Sequence, residues 1–581
     1  MNLKYIPKAS LATFILIALS GCMTVKAPQT TTEKLFYGGS ILTMEGMQPK
    51  YAEALLVRDG KIVFVGSKQQ AERLANAQVQ YINLNNKTLL PSFIDAHSHV
   101  NMVGFHQMVA NLYPMPDGSV SDINSLVNVM NTWKTQNPTV IKTMGGWILG
   151  NGYDDAQLSE QRHPTATDLD RVSKDQPVMI LHQSGHLASV NHKALELLNF
   201  NQNTPNPEGG VIRREANSNV PNGVLEESAL FTAIGSIFKD VPPQVMFQIA
   251  QKGIDAYVKN GFTTVQEGRA DQGTTEMWHA LAKQNQLPID VVSYPDITTS
   301  QEYMLKQGSS RQYDHHFRIG GVKISLDGSP QGKTAWLTQP YLVPPEGEGK
   351  DKSYKGYAAI KDDQQVNQYI NLAFKQGWQV LAHANGDAAI DQFIGAVKDA
   401  TAKQGKADRR SVLIHSQTIR DDQLDQLKAL DIIPSFFSLH TFYWGDWHRQ
   451  QTLGEVRAAR ISPTATALKK QLIFTEHHDA PVVPPNSLMM LDATVNRVTR
   501  SNDVLGADER ISPYLALKSM TDWAAYQYFE DQHKGTLTQG KLADLVILDQ
   551  NPLTIPSREI KNIQVLATYK EGNLIYQKLG N

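Results

Sequence analysis

Cysteine is almost absent from this chain of 581 residues, which contains a single one, Cys22. This excludes an internal disulfide framework and a zinc site built from cysteines. Because Cys22 lies so near the start, it also excludes a Cys–His catalytic pair in the mature chain. An excess of one charge is lacking too, since 55 Lys and Arg residues face 57 Asp and Glu residues. We therefore expect no nucleic-acid partner, because phosphate neutralisation needs clustered cations.

Long apolar runs are also lacking. The nine-residue run Leu11–Leu19 would rise about 14 Å as a helix, too little to cross a bilayer core of about 30 Å. Preceded by Lys4 and Lys8, it is typical of the apolar region of an export signal. The phrase Leu19-Ser20-Gly21-Cys22 that follows resembles the lipobox of bacterial lipoproteins.

The lipobox resemblance implies that residues 1–21 are a lipoprotein signal peptide and that the sulfur of Cys22 carries a lipid. Residues 22–33 would then form a tether. Met23 stands where an Asp would favour the inner membrane, so we expect a lipid-anchored protein of the bacterial cell envelope, in the outer membrane and facing the periplasm. Membrane contact would be through this lipid only. The alternative is an ordinary cleaved signal with an incidental cysteine.

The remaining chain is too long for one simple core, and its pattern predicts an α/β fold. Eight short apolar runs alternate with helix-like stretches and predict a (β/α)₈ TIM barrel over residues 89–534, with an insertion within 101–242 after the first barrel strand. Hairpin signals near both ends, such as Asp59-Gly60, predict a small β-sandwich built from residues 34–88 and 535–581. The predicted barrel strands are Leu89–Asp95, Thr263–Glu267, Ile289–Tyr294, Gly321–Leu326, Val380–His383, Val412–His415, Ile432–Phe437 and Leu472–Thr475.

Polar residues that can bind metals end several of these runs. His97 and His99 follow the first run and, being two residues apart, would point to the same side of an extended chain. His383, His415 and Asp479 end later strands, where a barrel gathers its functional residues. Lys323 lies inside the apolar fourth strand, and burying a bare ammonium there would cost several kcal/mol. It therefore needs a partner or a modification.

The order of these residues resembles the amidohydrolase superfamily, specifically its family 3 branch, which includes N-substituted formamide deformylase and related N-acyl hydrolases. The similarity covers nearly all of the chain after the tether. The matching phrases are Leu90–His99 (LPSFIDAHSH), Gly145–Trp147, Gly150–Asp154, Ser184–His186, Gly209–Ile212, Asn222–Glu226, Val322–Lys323 with Asp327–Gly328, His383–Asp387, Ile414–Gln417 and Gly540–Val546.

This resemblance implies two divalent metal ions, for which zinc is suited, and a small N-acyl or amide substrate. His97, His99 and Asp479 would hold one ion, and His383 and His415 the other. Lys323, carboxylated to a carbamate, would bridge the two ions. A metal-activated hydroxide would cleave the C–N bond, with Asp479 as general base and acid. His186, in the insertion, would bind substrate or stabilise an oxyanion, although a structural role in the insertion's core is an alternative.

Several alternatives stay open. The family's usual Gly-Ser-Asp reads His477-His478-Asp479, which leaves undecided whether His477 or His478 assists at the metal. A phosphoester hydrolase or a deaminase would use a similar barrel, although single-metal deaminases lack the bridging residue that Lys323 supplies. A non-catalytic envelope protein for binding or regulation is a further alternative. The sequence specifies neither the substrate nor the oligomeric state.

Overall fold

The computed structural model describes residues 33–238, 241–345 and 352–579. The predicted signal peptide, the lipidation site Cys22 and most of the predicted tether lie outside these residues. Within the described part of the chain, no helix is both long and apolar enough to cross a membrane.

The first sheet combines strands from the two ends of the chain. Thr88–Pro91 lies at its centre, parallel to Glu33–Leu42 and antiparallel to Leu545–Leu548. The sequence predicts a β-sandwich here, and the structure has one sheet of eight strands. The strands are, in sheet order, Asn573–Gln577, Val565–Lys570, Leu545–Leu548, Thr88–Pro91, Glu33–Leu42, Tyr51–Arg58 and Lys61–Gly66, with Gln80–Asn83 pairing to Glu33–Leu42.

Two sheets of parallel strands make up the TIM-barrel-like α/β part of the fold. They adjoin at a bridge between Asp296 and Lys323 and at a 2.9 Å hydrogen bond from His99 N to Ala480 O. The first sheet has the order Phe317–Ile319, Asp290–Pro295, Phe262–Ala270 and Phe93–Ile94, and the second has Gly321–Ser325, Gln379–Ala384, Val412–His415, Ile433–Phe436 and Thr475–Glu476.

Two predicted barrel strands differ from the structure. Leu89–Asp95 is divided at Ser92, because Ser92 N donates to Asp544 O in the terminal sheet whereas Phe93 N donates to Gly261 O at the barrel. One apolar run thus serves two sheets. In place of the predicted strand Leu472–Thr475, the structure has a two-residue strand, Thr475–Glu476. Leu472 does not join it, because its backbone N–H donates to Ala467 O at the end of the preceding helix.

The segment within 101–242 forms a six-stranded sheet of its own. Strand Val178–His182 is buried throughout, with Val178 and Ile180 in one apolar cluster and Met179 and Leu181 in another. Alternate side chains of a strand point to opposite faces, so both faces of this sheet are covered. Its strands are, in sheet order, Gly210–Arg214, Pro221–Glu227, Leu187–Val190, Val178–His182, Ile148–Tyr153 and Ala110–Asn111.

Helices pack around these sheets. The α-helices are Lys68–Leu74, Val100–His106, Ile123–Gln136, Pro138–Thr143, Ala166–Leu169, His192–Leu197, Ser228–Phe238, Pro243–Val258, Gln272–Lys283, Gln301–Gln307, Asp363–Gln376, Asp387–Gln404, Asp421–Ala429, His440–Trp447, Gly454–Ala458, Thr464–Lys469, Ser487–Asn496, Pro513–Met520 and Asp522–Gln527. A π-helix spans His448–Thr452, and 3₁₀ helices span Ala507–Glu509 and Ser557–Asn562.

A buried ion network joins the terminal sheet to the barrel strands. Asp290, at the start of a barrel strand, accepts hydrogen bonds from Lys534 and, at 2.6 Å, from Lys570 of the terminal sheet. Lys570 also pairs with Asp544 at 2.9 Å. Since buried charges are tolerated only when they are paired, this network fixes how the two parts of the fold meet.

Candidate active site

His97 is held in one tautomer by a neighbouring strand. Its Nδ1 lies 2.6 Å from Oε1 of Gln266, whose own Nε2 donates to the carbonyl oxygen of Ala96 at 2.9 Å. Because that carboxamide oxygen is an acceptor, Nδ1 of His97 carries the proton and Nε2 is unprotonated, as a metal ligand requires.

The unprotonated Nε2 of His97 faces His99 and Asp479. It lies 3.4 Å from Oδ1 of Asp479, and Nε2 of His99 lies 3.2 Å from the same oxygen. The three ligand atoms all lie within 4.8 Å of one another. This Oδ1 is buried and has no aligned hydrogen-bond donor among the described residues. Two imidazole nitrogens around an unpaired carboxylate oxygen are a donor set that fits a divalent metal ion.

Charges around this group favour its ligand-competent forms. Burial opposes ionisation of Asp479, but the adjacent imidazole of His99 outweighs burial and lowers the pKa of the carboxyl. Burial, assisted by Lys323, lowers the pKa of His97 well below its usual range. A neutral imidazole and an ionised carboxylate are the forms in which these side chains bind metals.

His383 and His415 lie beside this first group. Their rings are 4.5 Å apart, and Nε2 of His415 is 3.9 Å from Oδ2 of Asp479. Nδ1 of His383 is buried without a hydrogen-bond partner among the described residues, although it lies 3.2 Å from Oδ1 of Asp327. His415 and Asp479 both have positive φ, at 74° and 52°. Such backbone conformations are uncommon for residues other than glycine and cluster at active sites.

Lys323 lies inside the site, on strand Gly321–Ser325, and its Nζ is 3.1 Å from Nε2 of His97. Burial lowers its pKa to about 7, with the cation of Arg269 adding to the effect and the carboxylate of Asp479 opposing it. A large share of the side chain is therefore an uncharged amine at neutral pH.

His477 and His478, whose role the sequence leaves open, lie behind the ligand groups. Nε2 of His477 is 3.0 Å from Nδ1 of His415, and Nδ1 of His477 is 3.0 Å from Oγ of Ser435. His477 therefore orients the His415 ring and leaves its Nε2 towards the site. His478 accepts a hydrogen bond from the backbone N–H of Ala480 at 3.1 Å and is fully buried.

His186 reaches the site from the insertion. Its ring is 5.2 Å from that of His383, and its Nδ1 is 2.9 Å from Oε2 of Glu227. Burial disfavours the charged ring, but the Glu227 carboxylate outweighs burial and raises the pKa of His186. Sequence reasoning missed Glu227, although the adjacent Glu226 belongs to a matching phrase. Successive side chains of the strand Pro221–Glu227 point to opposite faces, so only one of these two glutamates can face His186.

With this geometry established, the relatives of the chain can be compared. Residues 80–576 match the sequence profile described as "Amidohydrolase family". The chain belongs to the amidohydrolase family. It is 26% identical over 577 residues to YtcJ of Bacillus subtilis (strain 168), named as an amidohydrolase, covering 94% of this chain and 99% of that protein.

Two further comparisons extend over most of this amidohydrolase. It is 24% identical over 544 residues to N-substituted formamide deformylase of Arthrobacter pascens, covering 91% of this chain and 96% of the enzyme. The crystal structure of an uncharacterised metal-dependent hydrolase from Pyrococcus horikoshii OT3 has a TM-score of 0.71 at 23% identity, covering 90% of this chain and 99% of that one. This last likeness shows a shared fold.

A second group of potential ligands in this amidohydrolase lies in the insertion. Asp154, Asp155 and His182 each place one ligand atom within 4.8 Å of the others. However, the backbone N–H of Ser184 donates to Nδ1 of His182 at 3.0 Å, and the two neighbouring carboxylates favour a proton on Nε2. That nitrogen lies 2.9 Å from Oδ1 of Asp155 and donates to it. The group is thus a hydrogen-bonded network that supports the turn leading to His186.

Proposed function

We propose that this amidohydrolase is a metal-dependent hydrolase that cleaves a C–N bond in an amide, N-acyl or N-formyl compound. One observation carries the proposal. The side chains of His97 and His99 converge on Oδ1 of Asp479, a buried oxygen without an aligned hydrogen-bond donor among the described residues. His383 and His415 lie beside this group. The likeness to N-substituted formamide deformylase supports the choice of a C–N bond.

We propose two divalent metal ions, zinc being suited to the nitrogen and oxygen donors. His97, His99 and Asp479 would hold one ion, and His383 and His415 the other. Bound there, such ions lower the pKa of water and polarise a carbonyl oxygen.

Lys323 is proposed to bridge the ions as a carbamate. Its uncharged amine nitrogen adds to the carbon of CO₂, forming an N–C bond and releasing one proton, so that a neutral amine is replaced by a carbamate anion. The burial of this amine next to His97 supports the step, because burial favours the uncharged amine and only that form reacts with CO₂. The carbamate anion would also attract the two cations, which a protonated Lys323 would repel.

Asp479 and His186 are proposed to handle protons and charge during the reaction. Asp479 accepts a proton from the attacking water and delivers it to the leaving nitrogen, which departs as an amine. His186, held by Glu227, donates a hydrogen bond to the oxygen of the carbonyl as negative charge develops there.

We further propose that the protein is anchored in the bacterial outer membrane by a lipid on Cys22 and faces the periplasm. The support is the sequence of the first 22 residues, with Lys4 and Lys8, the apolar run Leu11–Leu19 and the lipobox.

Metal analysis combined with a substrate panel tests the catalytic proposal. We expect about two ions per chain, and release of amine from N-acyl amines or N-acyl amino acids by the metal-loaded protein. Asp479→Asn should reduce amine release by roughly 10²- to 10⁴-fold. His192→Ala, which changes a histidine with a side chain 55% exposed, is the matched control and should retain activity.

Full amine release after exhaustive chelation would contradict the metal-dependent mechanism. Release of phosphate from phosphoesters with none of amine would assign the site to phosphoester hydrolysis instead.

A further inference from the structure

A chain of hydrogen bonds leads from the active-site pocket into the protein through His440. This residue begins the helix that follows strand Ile433–Phe436, and it lines the pocket together with His186 and His415. Its Nδ1 is 3.0 Å from Nε2 of His448, and the two rings are nearly coplanar, with an interplanar angle of 9°. The metal-ligand residues themselves do not take part in this chain.

The chain continues to a hydroxyl group. Nδ1 of His448 lies 2.8 Å from Oγ1 of Thr452. These two residues bound a single π-turn, in which Leu453 N donates to His448 O at 2.8 Å. Single π-turns of this kind occur frequently at functional sites. Here the wider turn places the hydroxyl beside the second imidazole.

The hydrogen bonds of this chain can run in either direction. If His448 donates from Nδ1 to Thr452, its Nε2 accepts from Nδ1 of His440, and Nε2 of His440 is left as an acceptor. If the hydroxyl of Thr452 donates instead, the order reverses and His440 has its proton on Nε2. In both arrangements the rings of His440 and His448 stay uncharged. Burial supports this, since it lowers the pKa of His448 to about 3 and that of His440 well below its usual range.

The neighbouring wall of the pocket is also polar and uncharged. Oγ of Ser329 and Oε1 of Gln331 are buried and have no hydrogen-bond partner among the described residues, and both side chains line the same pocket as His440. None of the described residues that line it is a lysine or an arginine. Buried polar atoms without a partner are costly, and a bound ligand can satisfy them.

We propose that His440, Gln331 and Ser329 form a subsite for an uncharged, hydrogen-bonding group of the substrate. The amidohydrolase would then act on neutral N-acyl amines in preference to N-acyl amino acids, whose carboxylate would meet no cation on this wall. His448 and Thr452 are positioning residues that set which nitrogen of His440 carries its proton. This inference rests on the proposed C–N hydrolysis and names the substrate class of that site.

A matched pair of substrates tests the subsite. N-Acetylphenethylamine and N-acetylphenylalanine differ only by the carboxylate, and both can be offered to the metal-loaded protein. We expect kcat/KM to be about 10- to 100-fold higher for the neutral compound, the effect of one unpaired buried charge. Gln331→Lys places a cation on the wall and should shift the ratio towards the carboxylate, whereas the near-isosteric control Gln331→Glu should not.

Variants of Thr452 test the positioning role independently of the substrate pair. Thr452→Val should change KM or kcat for the neutral amide while metal content stays the same, and Thr452→Ser, which keeps the hydroxyl, should restore the parent values. Nitrogen-15 NMR of the imidazoles should show a changed tautomer of His440 in Thr452→Val. Identical kinetics and tautomer in all three proteins would overturn the positioning role.

Each substrate result is decisive. Equal or higher kcat/KM for N-acetylphenylalanine would overturn the subsite while leaving C–N hydrolysis intact. If neither amide is cleaved, the proposed function fails, and binding of the two amides measured by calorimetry still decides the inference. Tighter binding of the neutral amide would support the uncharged subsite, and tighter or equal binding of the carboxylate would overturn it.

Discussion

Replacing Asp290 by asparagine is expected to weaken the junction between the terminal sheet and the barrel strands. Asp290 accepts hydrogen bonds from Lys534 and Lys570, and its other oxygen lies 2.7 Å from Nδ1 of His316. Asp290, Lys534 and Lys570 are each at most 3% exposed. The substitution keeps the size of the side chain and removes one negative charge from between two buried cations.

The contacts that remain determine the magnitude. Removing one partner of a buried ion pair costs about 3–5 kcal/mol. In Asp290→Asn each lysine keeps a second carboxylate, since Lys570 pairs with Asp544 at 2.9 Å and Lys534 pairs with Glu530. We therefore expect the free energy of opening the junction to fall by an amount at the lower end of this range, about 3 kcal/mol. This corresponds to roughly 10²-fold in the equilibrium constant for opening.

Hydrogen exchange measures this opening directly. Amides of strand Val565–Lys570, which carries Lys570, should exchange roughly 10²-fold faster in Asp290→Asn at pH 7. Amides of the barrel strand Val412–His415, which none of the network's hydrogen bonds or ion pairs reaches among the described residues, should change less. A protein with several structural units need not unfold in one step, so a local probe is preferable to a global transition.

The effect should depend on pH in a defined direction. Burial opposes ionisation of Asp290, but the two lysines outweigh it and hold the pKa of this carboxyl well below its usual range. A lowered pKa in the folded state contributes stability that is present above about pH 4 and is lost as the pH falls below it. The difference between parent and variant should therefore be full at pH 7 and shrink only in acid.

Asp425→Asn is the matched control. The Asp425 side chain is 63% exposed and pairs with Lys470 at the surface, where such pairs contribute about 0–1 kcal/mol. If Asp290→Asn accelerates exchange of Val565–Lys570 no more than this control does, the reasoning about the buried network is refuted.

Three further predictions concern the site and the proposed anchor. Lys323→Ala should lose one of the two proposed ions and most turnover, and adding bicarbonate with zinc to the parent apoprotein should raise both, measured by metal analysis and amine release; normal metal content in the variant would exclude a bridging carbamate. Glu227→Gln should lower kcat about 10- to 100-fold by removing a charge-assisted hydrogen bond to His186, with metal content unchanged, and an unchanged kcat would show that this pair is only structural. Cys22→Ser should abolish lipid labelling and membrane sedimentation, and equal partitioning of parent and variant would contradict the lipoprotein interpretation.

Elements that follow from local pattern could be predicted from the sequence. Strand Val412–His415 has the predicted bounds, and Gln379–Ala384 contains the predicted Val380–His383, because short apolar runs between polar segments are typical of strands covered on both faces. Asp59 and Gly60 both have positive φ between two antiparallel strands, as expected of a two-residue hairpin turn.

Features that depend on contacts distant in sequence could not be predicted. Gln266 orients His97 from a position 169 residues later, and nothing in either local sequence relates the two. The pairing of His448 with Thr452 depends on a π-turn that has no signal in hydrophobic periodicity. The division of one apolar run at Ser92 is likewise set by Asp544, which belongs to the other end of the chain.

The place of strand Thr88–Pro91 has a consequence for how the protein is made. This strand is completed by Leu545–Leu548, a segment synthesised after every residue assigned to the catalytic centre, and it runs directly into Phe93–Ile94 and then His97. A chain that stops before residue 545 would contain every residue assigned to the catalytic centre but would lack the strand that anchors His97. Products that terminate before this segment are therefore expected to stay inactive, so that activity depends on a strand made after the whole catalytic centre has been synthesised.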